Sequence, residues 1–171
     1  MSELKFNTAE EFDAAREAYI KNHPEFIEAK DVECLNLPMK KEYALQILRG
    51  TKPLEFRAYS DFYISRLIDK RVSDFIDSHM DDDEVLMFYN DIRQVKKIHF
   101  YNYAKTWYLD IECDFNDVFQ LTRPDIEFLH SEYGVHDFDK DLEMFEQAGE
   151  EQRPFFFYFV CGKVLGTNLK V

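Results

Sequence analysis

Pro154, Phe155, Phe156, Phe157, Tyr158, Phe159 and Val160 constrain this chain more than any other segment. Successive side chains of a strand point to opposite faces, so a run without a charged or amide side chain needs apolar cover on both sides. Such a strand belongs inside a sheet with a packed layer above and below it. Pro154 before the run and Gly162 after it bound the segment. At 171 residues the chain can build one domain with a core of that kind, and hardly two.

The remaining sequence alternates helical and strand periodicities. Thr8 with Glu11 is a capping-box pair, in which side chains satisfy backbone N–H groups left open at a helix start. Phe12, Ala15, Tyr19 and Ile20 recur at helical spacing, which predicts an amphipathic helix over 8–22 whose stripe covers the sheet. Residues 26–30 add a short helical turn. Strands are expected over 32–37 and 54–57. Between them a helix over 40–49 carries Tyr43, Ala44, Ile47 and Leu48 on one side and stops at Gly50. Residues 61–80 read as one or two helices, ended by a solvated turn at Asp81, Asp82, Asp83 and Glu84; residues 85–89 fit a strand or a helix end. Residues 94–103 and 106–115 read as strands joined at Tyr103, Ala104 and Lys105, with a further short strand over 118–121. Helices over 124–133 and 138–148 are punctuated by Gly134 and Gly149, and Gly162 and Gly166 close the chain with a bend and a last short strand. The expected class is α+β, with one curled, mostly antiparallel sheet and flanking helices.

Charge narrows the function. Acids outnumber bases 34 to 21, a net charge of −13, which opposes the phosphate neutralisation that duplex DNA requires. The bases are clustered, however. Residues 40–73 carry 8 bases and 4 acids, and residues 93–107 carry Arg93, Lys96, Lys97 and Lys105 with no acid. Two basic islands in an acidic chain suggest a local site for an anionic ligand. Cys34, Cys113 and Cys161 are odd in number and widely spaced, which suits a reducing compartment. The N-terminal residues lack the basic and apolar regions of a secretory signal, and no apolar run approaches the ~20 residues of a membrane span. A cytoplasmic protein without a membrane partner is expected. His130 and His136 lie near Asp137 and Asp139 at a spacing that matches no zinc template, and no nucleotide-loop or hydrolase fingerprint occurs. No metal and no cofactor is therefore expected.

One segment carries chemistry. Gly50, Lys52, Glu55 and Arg57 form the pattern G-x-K-x-x-E-x-R between a helix and a strand. An ammonium, a carboxylate and a guanidinium so close together can read the polar edge of a nucleobase and hold a phosphate. The same groups can instead form a structural ion-pair cluster that plugs one end of the barrel. Tyr59, Tyr63, Tyr101 and Tyr103 are candidate stacking surfaces for a base, with Arg66 beside them as a further cation.

The pattern resembles the signature of the ASCH family, a branch of the PUA-like barrels. Tyr59, Ser60, Asp61, Phe62 and Tyr63 with Arg66 and Leu67 resemble the aromatic and Arg-Leu stretch that follows it. Ile98 through Tyr103, with Leu109 through Glu112, resembles the family's central hairpin, and Tyr158 through Leu165 its closing strand. The resemblance divides the chain into an N-terminal helical extension, 1–31, and an ASCH/PUA-like domain, 32–171. It implies a β-barrel that binds short single-stranded RNA or a modified nucleotide or nucleoside in a cleft between the signature segment and the hairpin. Lys52, Glu55, Arg57, Tyr59, Tyr63, Arg66, Tyr101 and Tyr103 would line that cleft. The alternative is a small hydrolase, an amidohydrolase on acylated cytidine or a ribonuclease, using Lys52 and Glu55. Amidohydrolases of the family carry a threonine nucleophile three residues after the lysine, where this chain has Glu55.

Overall fold

A computed structural model describes residues 6–171; the first five residues of the expected N-terminal extension lie outside that range. The chain divides into two compact units. One comprises the described part of Met1–Ala29 with Ile68–Ile92, and the other Lys30–Leu67 with Arg93–Val171. Among the described residues no helix is long and apolar enough to cross a membrane.

The first unit is helical: α1 (Ala9–Asn22), α4 (Lys70–Asp77) and α5 (Asp83–Phe88). Thr8 caps α1 by accepting the Glu11 N–H at 3.1 Å, and Glu11 in turn accepts the Asn7 N–H at 2.9 Å. Within this unit the stripe on α1 packs against α4 and α5. Phe12, Ala15 and Tyr19 cluster with Val72, Val85, Phe88 and Tyr89. Residues 26–30 form no helical turn. The acidic tetrad is likewise not a terminator: Asp82 accepts the Glu84 and Val85 N–H groups and caps α5.

The second unit holds a five-stranded sheet. Its strands are β1 (Val32–Pro38), β2 (Leu54–Ala58), β3 (Val95–Tyr101), β4 (Tyr108–Gln120) and β5 (Phe155–Thr167). Its helices are α2 (Lys41–Leu48), α3 (Asp61–Leu67), α6 (Arg123–Tyr133) and α7 (Asp139–Ala148). The order is β1-β3-β4-β5-β2; β1 runs parallel to β3 and the other three pairings are antiparallel. The sheet is open, since β1 and β2 lie at its two ends, and it is not the closed barrel expected from the sequence.

Two expected breaks are absent. The short strand at 118–121 is the far end of β4, reached through register shifts between Asp110 and Phe115. β5 runs through Gly162 and Gly166 without interruption. Gly162 leaves room for Asp114 there: a Cβ would lie 2.2 Å from the Asp114 carboxylate, which would have to move. The aromatic run is buried on both faces at its centre, Phe157, Tyr158 and Phe159, while Phe155 at its start is 45% exposed. Phe157 and Phe159 are fully buried, while Tyr158 joins Leu54, Phe119 and Leu121 under Ile126 and Leu129 of α6 and Leu142 of α7.

Alternation sorts the other end of the sheet into two faces. Leu35, Ile98 and Ile111 are cross-strand neighbours, as are Leu37, Phe100 and Leu109, and all are buried. The opposite face presents Asn36, His99 and Asp110 in one row and Pro38, Tyr101 and Tyr108 in the next. On α2, Ala44 and Ile47 are buried, whereas Tyr43, expected on the packing stripe, is 41% exposed.

Phe88 anchors the helical unit, with its ring 5.7 Å from Phe12 and 5.1 Å from Tyr19. Truncating a buried ring removes its transfer energy and leaves a cavity, so Phe88→Ala should cost about 3–5 kcal/mol in urea unfolding. A loss below about 1 kcal/mol would show that this cluster is not a working core.

Candidate functional site

The residues singled out in the sequence separate into a structural cluster and an open surface. Glu55 and Arg57 belong to the first. They stand on one face of β2, opposite Phe159 and Phe157, and form an ion pair at 3.8 Å. Glu55 is buried; one carboxylate oxygen accepts the Phe56 N–H, and the other has no hydrogen-bond partner. Arg57 donates to the Tyr63 hydroxyl at 3.1 Å and to the Pro38 carbonyl at 2.8 Å. Tyr63 therefore serves Arg57. Lys52 places its ammonium 5.7 Å from the centroids of the Tyr43 and Phe56 rings. Tyr59 stacks on Phe157 at 5.0 Å.

The open surface is the face of β1, β3 and β4 that carries His99. A cavity of about 470 Å³ is lined there by Asn36, His99, Tyr101, Lys105, Trp107, Tyr108 and Asn168. A second, of about 410 Å³, shares Asn36 and Tyr101 and adds Cys34, Phe62, Ser65, Arg66 and Arg93. Tyr101 thus stands between the two. Lys52, Glu55, Arg57, Tyr59, Tyr63 and Tyr103 line neither cavity. Arg66 and Arg93 come from the two basic islands, so the islands do meet. The Arg66 guanidinium lies 3.5 Å from the Phe62 ring centroid, and Arg93 donates to the carbonyls of Lys30, Asp31 and Arg66.

Three rings pave this face. His99 lies 5.7 Å from Tyr101 and 6.1 Å from Tyr108, with interplanar angles of 19° and 24°. The imidazole is fixed by Asp110, whose Oδ1 is 2.5 Å from His99 Nδ1, and Lys97 holds the other carboxylate oxygen at 3.7 Å. A neutral His99 that donates from Nδ1 keeps the Nε2 lone pair available as an acceptor or base. The β3–β4 turn is tied by Asn102, which accepts the Thr106 N–H at 2.8 Å. Lys105 in that turn has φ 56°, a left-handed conformation that costs a side-chain-bearing residue roughly 1–2 kcal/mol. Tyr103 at the same turn is 85% exposed.

His99 and Asp110 carried a legible signal, since residues opposite each other on a hairpin share a face, yet their pairing depends on a register that the turn sets. Burial pushes the Cys113 thiol up to about 11 and the Cys161 thiol to about 12, so neither is an active nucleophile. Among the described residues, one group has the donor set for a metal: His130, His136 and Asp139. Asp139 is held below the usual carboxylate range by its hydrogen bond to His130. Compared with family models, curated proteins and solved structures, the chain matches none.

Removing Arg57 alone would strand the Glu55 carboxylate in the interior. Arg57→Ala should therefore cost about 3–5 kcal/mol, while Arg57→Met combined with Glu55→Leu should recover most of it. Should the double variant unfold as readily as the single one in urea, the bonds to Pro38 and Tyr63 outweigh the ion pair.

Proposed function

We propose that this chain binds a short single-stranded RNA segment or a nucleotide on the open face of β1, β3 and β4. The observation that carries the reading is the paving of Tyr101, His99 and Tyr108 with Arg66 and Arg93 at its edge. Unpaired bases stack on aromatic faces, and the flanking phosphates need cations. Asn36 and Asn168 offer amides, which can meet both donors and acceptors on a base edge. The strained backbone at Lys105 supports the same reading, because a glycine would relieve it and a lysine instead sets an ammonium at the cavity.

The resemblance of the Gly50–Arg57 segment to the ASCH signature points to the same ligand class, and a sheet whose edges Arg57 bridges is compatible with a PUA-like barrel left open between β1 and β2. On this reading the site lies on the hairpin side of the expected cleft. A second reading rests on the His99–Asp110 pair. An imidazole steadied by a carboxylate can take a proton from a ribose hydroxyl, which would make the same surface a ribonuclease.

Trp107 is the sole tryptophan and lines the larger cavity, so its fluorescence reports occupancy. Titration with a five-nucleotide single strand should give a saturable change that a duplex does not. Tyr101→Ala should weaken binding by about 1–3 kcal/mol, the usual worth of one stacked base. Lys105→Gly should weaken binding while leaving stability equal or higher by up to about 1 kcal/mol. Cys34 lines the second cavity and is exposed, so bound RNA should protect it from alkylation, while Cys113, which is buried, and Cys161, which is half-buried, should not change their labelling. Absence of saturation, or binding indifferent to Tyr101→Ala and Arg66→Ala, would overturn the proposal. Strand cleavage abolished by His99→Ala would favour the ribonuclease; cleavage abolished by Lys52→Ala and not by His99→Ala would return the site to Lys52 and Glu55.

A further inference from the structure

The two helices over the outer face of β2, β4 and β5 meet in a second cluster that the RNA reading does not use. His130 lies in the last turn of α6, His136 in the connecting loop, and Asp139 at the first position of α7. One donor atom from each lies within 4.8 Å of the other two. His130 Nε2 is 2.5 Å from one Asp139 oxygen, and His136 Nδ1 is 3.2 Å from the other. The two imidazoles stack face to face, with centroids 4.1 Å apart.

The scaffold beneath them is fixed. α6 ends at Gly134 in the left-handed conformation, with φ 65°, which turns the chain back on itself. Val135 follows, is buried, and returns its N–H to the Leu129 carbonyl at 3.2 Å. Leu129, Val135 and Leu142 belong to one hydrophobic cluster, so the helix before the loop, the loop and the helix after it are each anchored in the core. His136 is thereby held over His130 by packing that does not depend on the polar cluster.

We propose that His130, His136 and Asp139 form a binding site for a divalent transition-metal ion of the zinc class. Two imidazole nitrogens and one carboxylate oxygen are borderline donors, suited to zinc, cobalt, nickel or copper and unlike the all-oxygen sites of magnesium and calcium. A tetrahedral ion with bonds of ~2.0 Å needs donors about 3.3 Å apart, slightly wider than the two hydrogen-bonded spacings of 2.5 and 3.2 Å and inside the 4.8 Å that encloses the three donor atoms. The ion replaces the shared hydrogen bonds to Asp139 and leaves its fourth position to water. The cluster is open to it, with side chains 32%, 63% and 45% exposed for His130, His136 and Asp139. Coordination clips the end of α6 to the start of α7 above the aromatic strand.

The test uses the full chain without an affinity tag, stripped with chelator and titrated with cobalt(II). One equivalent should bind and give visible d–d absorption, which zinc displaces, and zinc should raise the melting temperature. Asp139→Asn and His136→Ala should each weaken binding at least tenfold, the minimum expected when even an indirect partner of a metal ligand is lost. Both variants should keep the far-ultraviolet circular dichroism of the parent. His99→Ala should bind as the parent does, which separates this site from the RNA surface. No stoichiometric binding at micromolar ion, or binding unchanged in Asp139→Asn and His136→Ala, would overturn the proposal and leave a hydrogen-bonded surface cluster.

Discussion

One guanidinium joins the two ends of the sheet. β1 and β2 are the outermost of five strands, so a flat sheet would separate them by four strand spacings of ~4.8 Å, about 19 Å. Arg57 on β2 nevertheless donates to the Pro38 carbonyl at the end of β1. An arginine side chain cannot cross a flat sheet of that width, so the sheet must curl until its edges face each other. The arrangement also explains the buried carboxylate. Glu55 balances the charge that Arg57 brings inside, and Tyr63 completes its bonding. Two of the three charged groups of the signature segment, Glu55 and Arg57, are thus paired with each other in the fold, while Lys52 lies over the Tyr43 and Phe56 rings.

Curling gives the sheet an inner face lined by Leu37, Ile98, Phe100, Leu109 and Ile111, and an outer face that α6 and α7 cover only in part. Leu54, Tyr158 and Phe119 lie under those helices, while Asn36, His99, Tyr101 and Tyr108 do not join that cluster. Three rings that α6 and α7 leave half-buried or exposed are an unusual use of aromatic side chains, which gain most by full burial. The strained Lys105 stands at its margin. Strain and incompletely buried rings on one surface are features that folding alone does not favour, and they are what supports the proposal of a ligand surface there.

Much of the architecture was legible because it is written in local rules. Thr8 and Glu11 marked the start of α1, Gly50, Gly134 and Gly149 the ends of three helices, and the aromatic run a strand whose centre, Phe157 to Phe159, is covered on both faces. What escaped depends on partners distant in sequence. Asp82 reads as part of a solvated acidic turn until Val85 and Phe88 are seen to need a helix that buries them. Gly162 reads as a strand breaker, but it accommodates Asp114 from the neighbouring strand. The parallel pairing of β1 with β3 is set by tertiary packing and has no local signature. His130, His136 and Asp139 are spaced like no metal template because a left-handed glycine, and not helical periodicity, brings them together.

The charge balance sets the size of any anion this surface can accept. Near the rings the acids are already engaged: Asp110 with His99 and Lys97, and Asp31 and Glu33 with Lys96. Arg66, Arg93 and Lys105 then dominate the local field. Elsewhere the balance reverses, since residues 108–153 carry 14 acids against 3 bases. Salt at physiological strength screens charges beyond ~8 Å, so a nucleotide or two at the cavities feels mainly the local cations. Each further phosphate extends toward surface where the chain repels it. Contacts would then accumulate more slowly than repulsion, and a short ligand is the one that the distribution of charge favours.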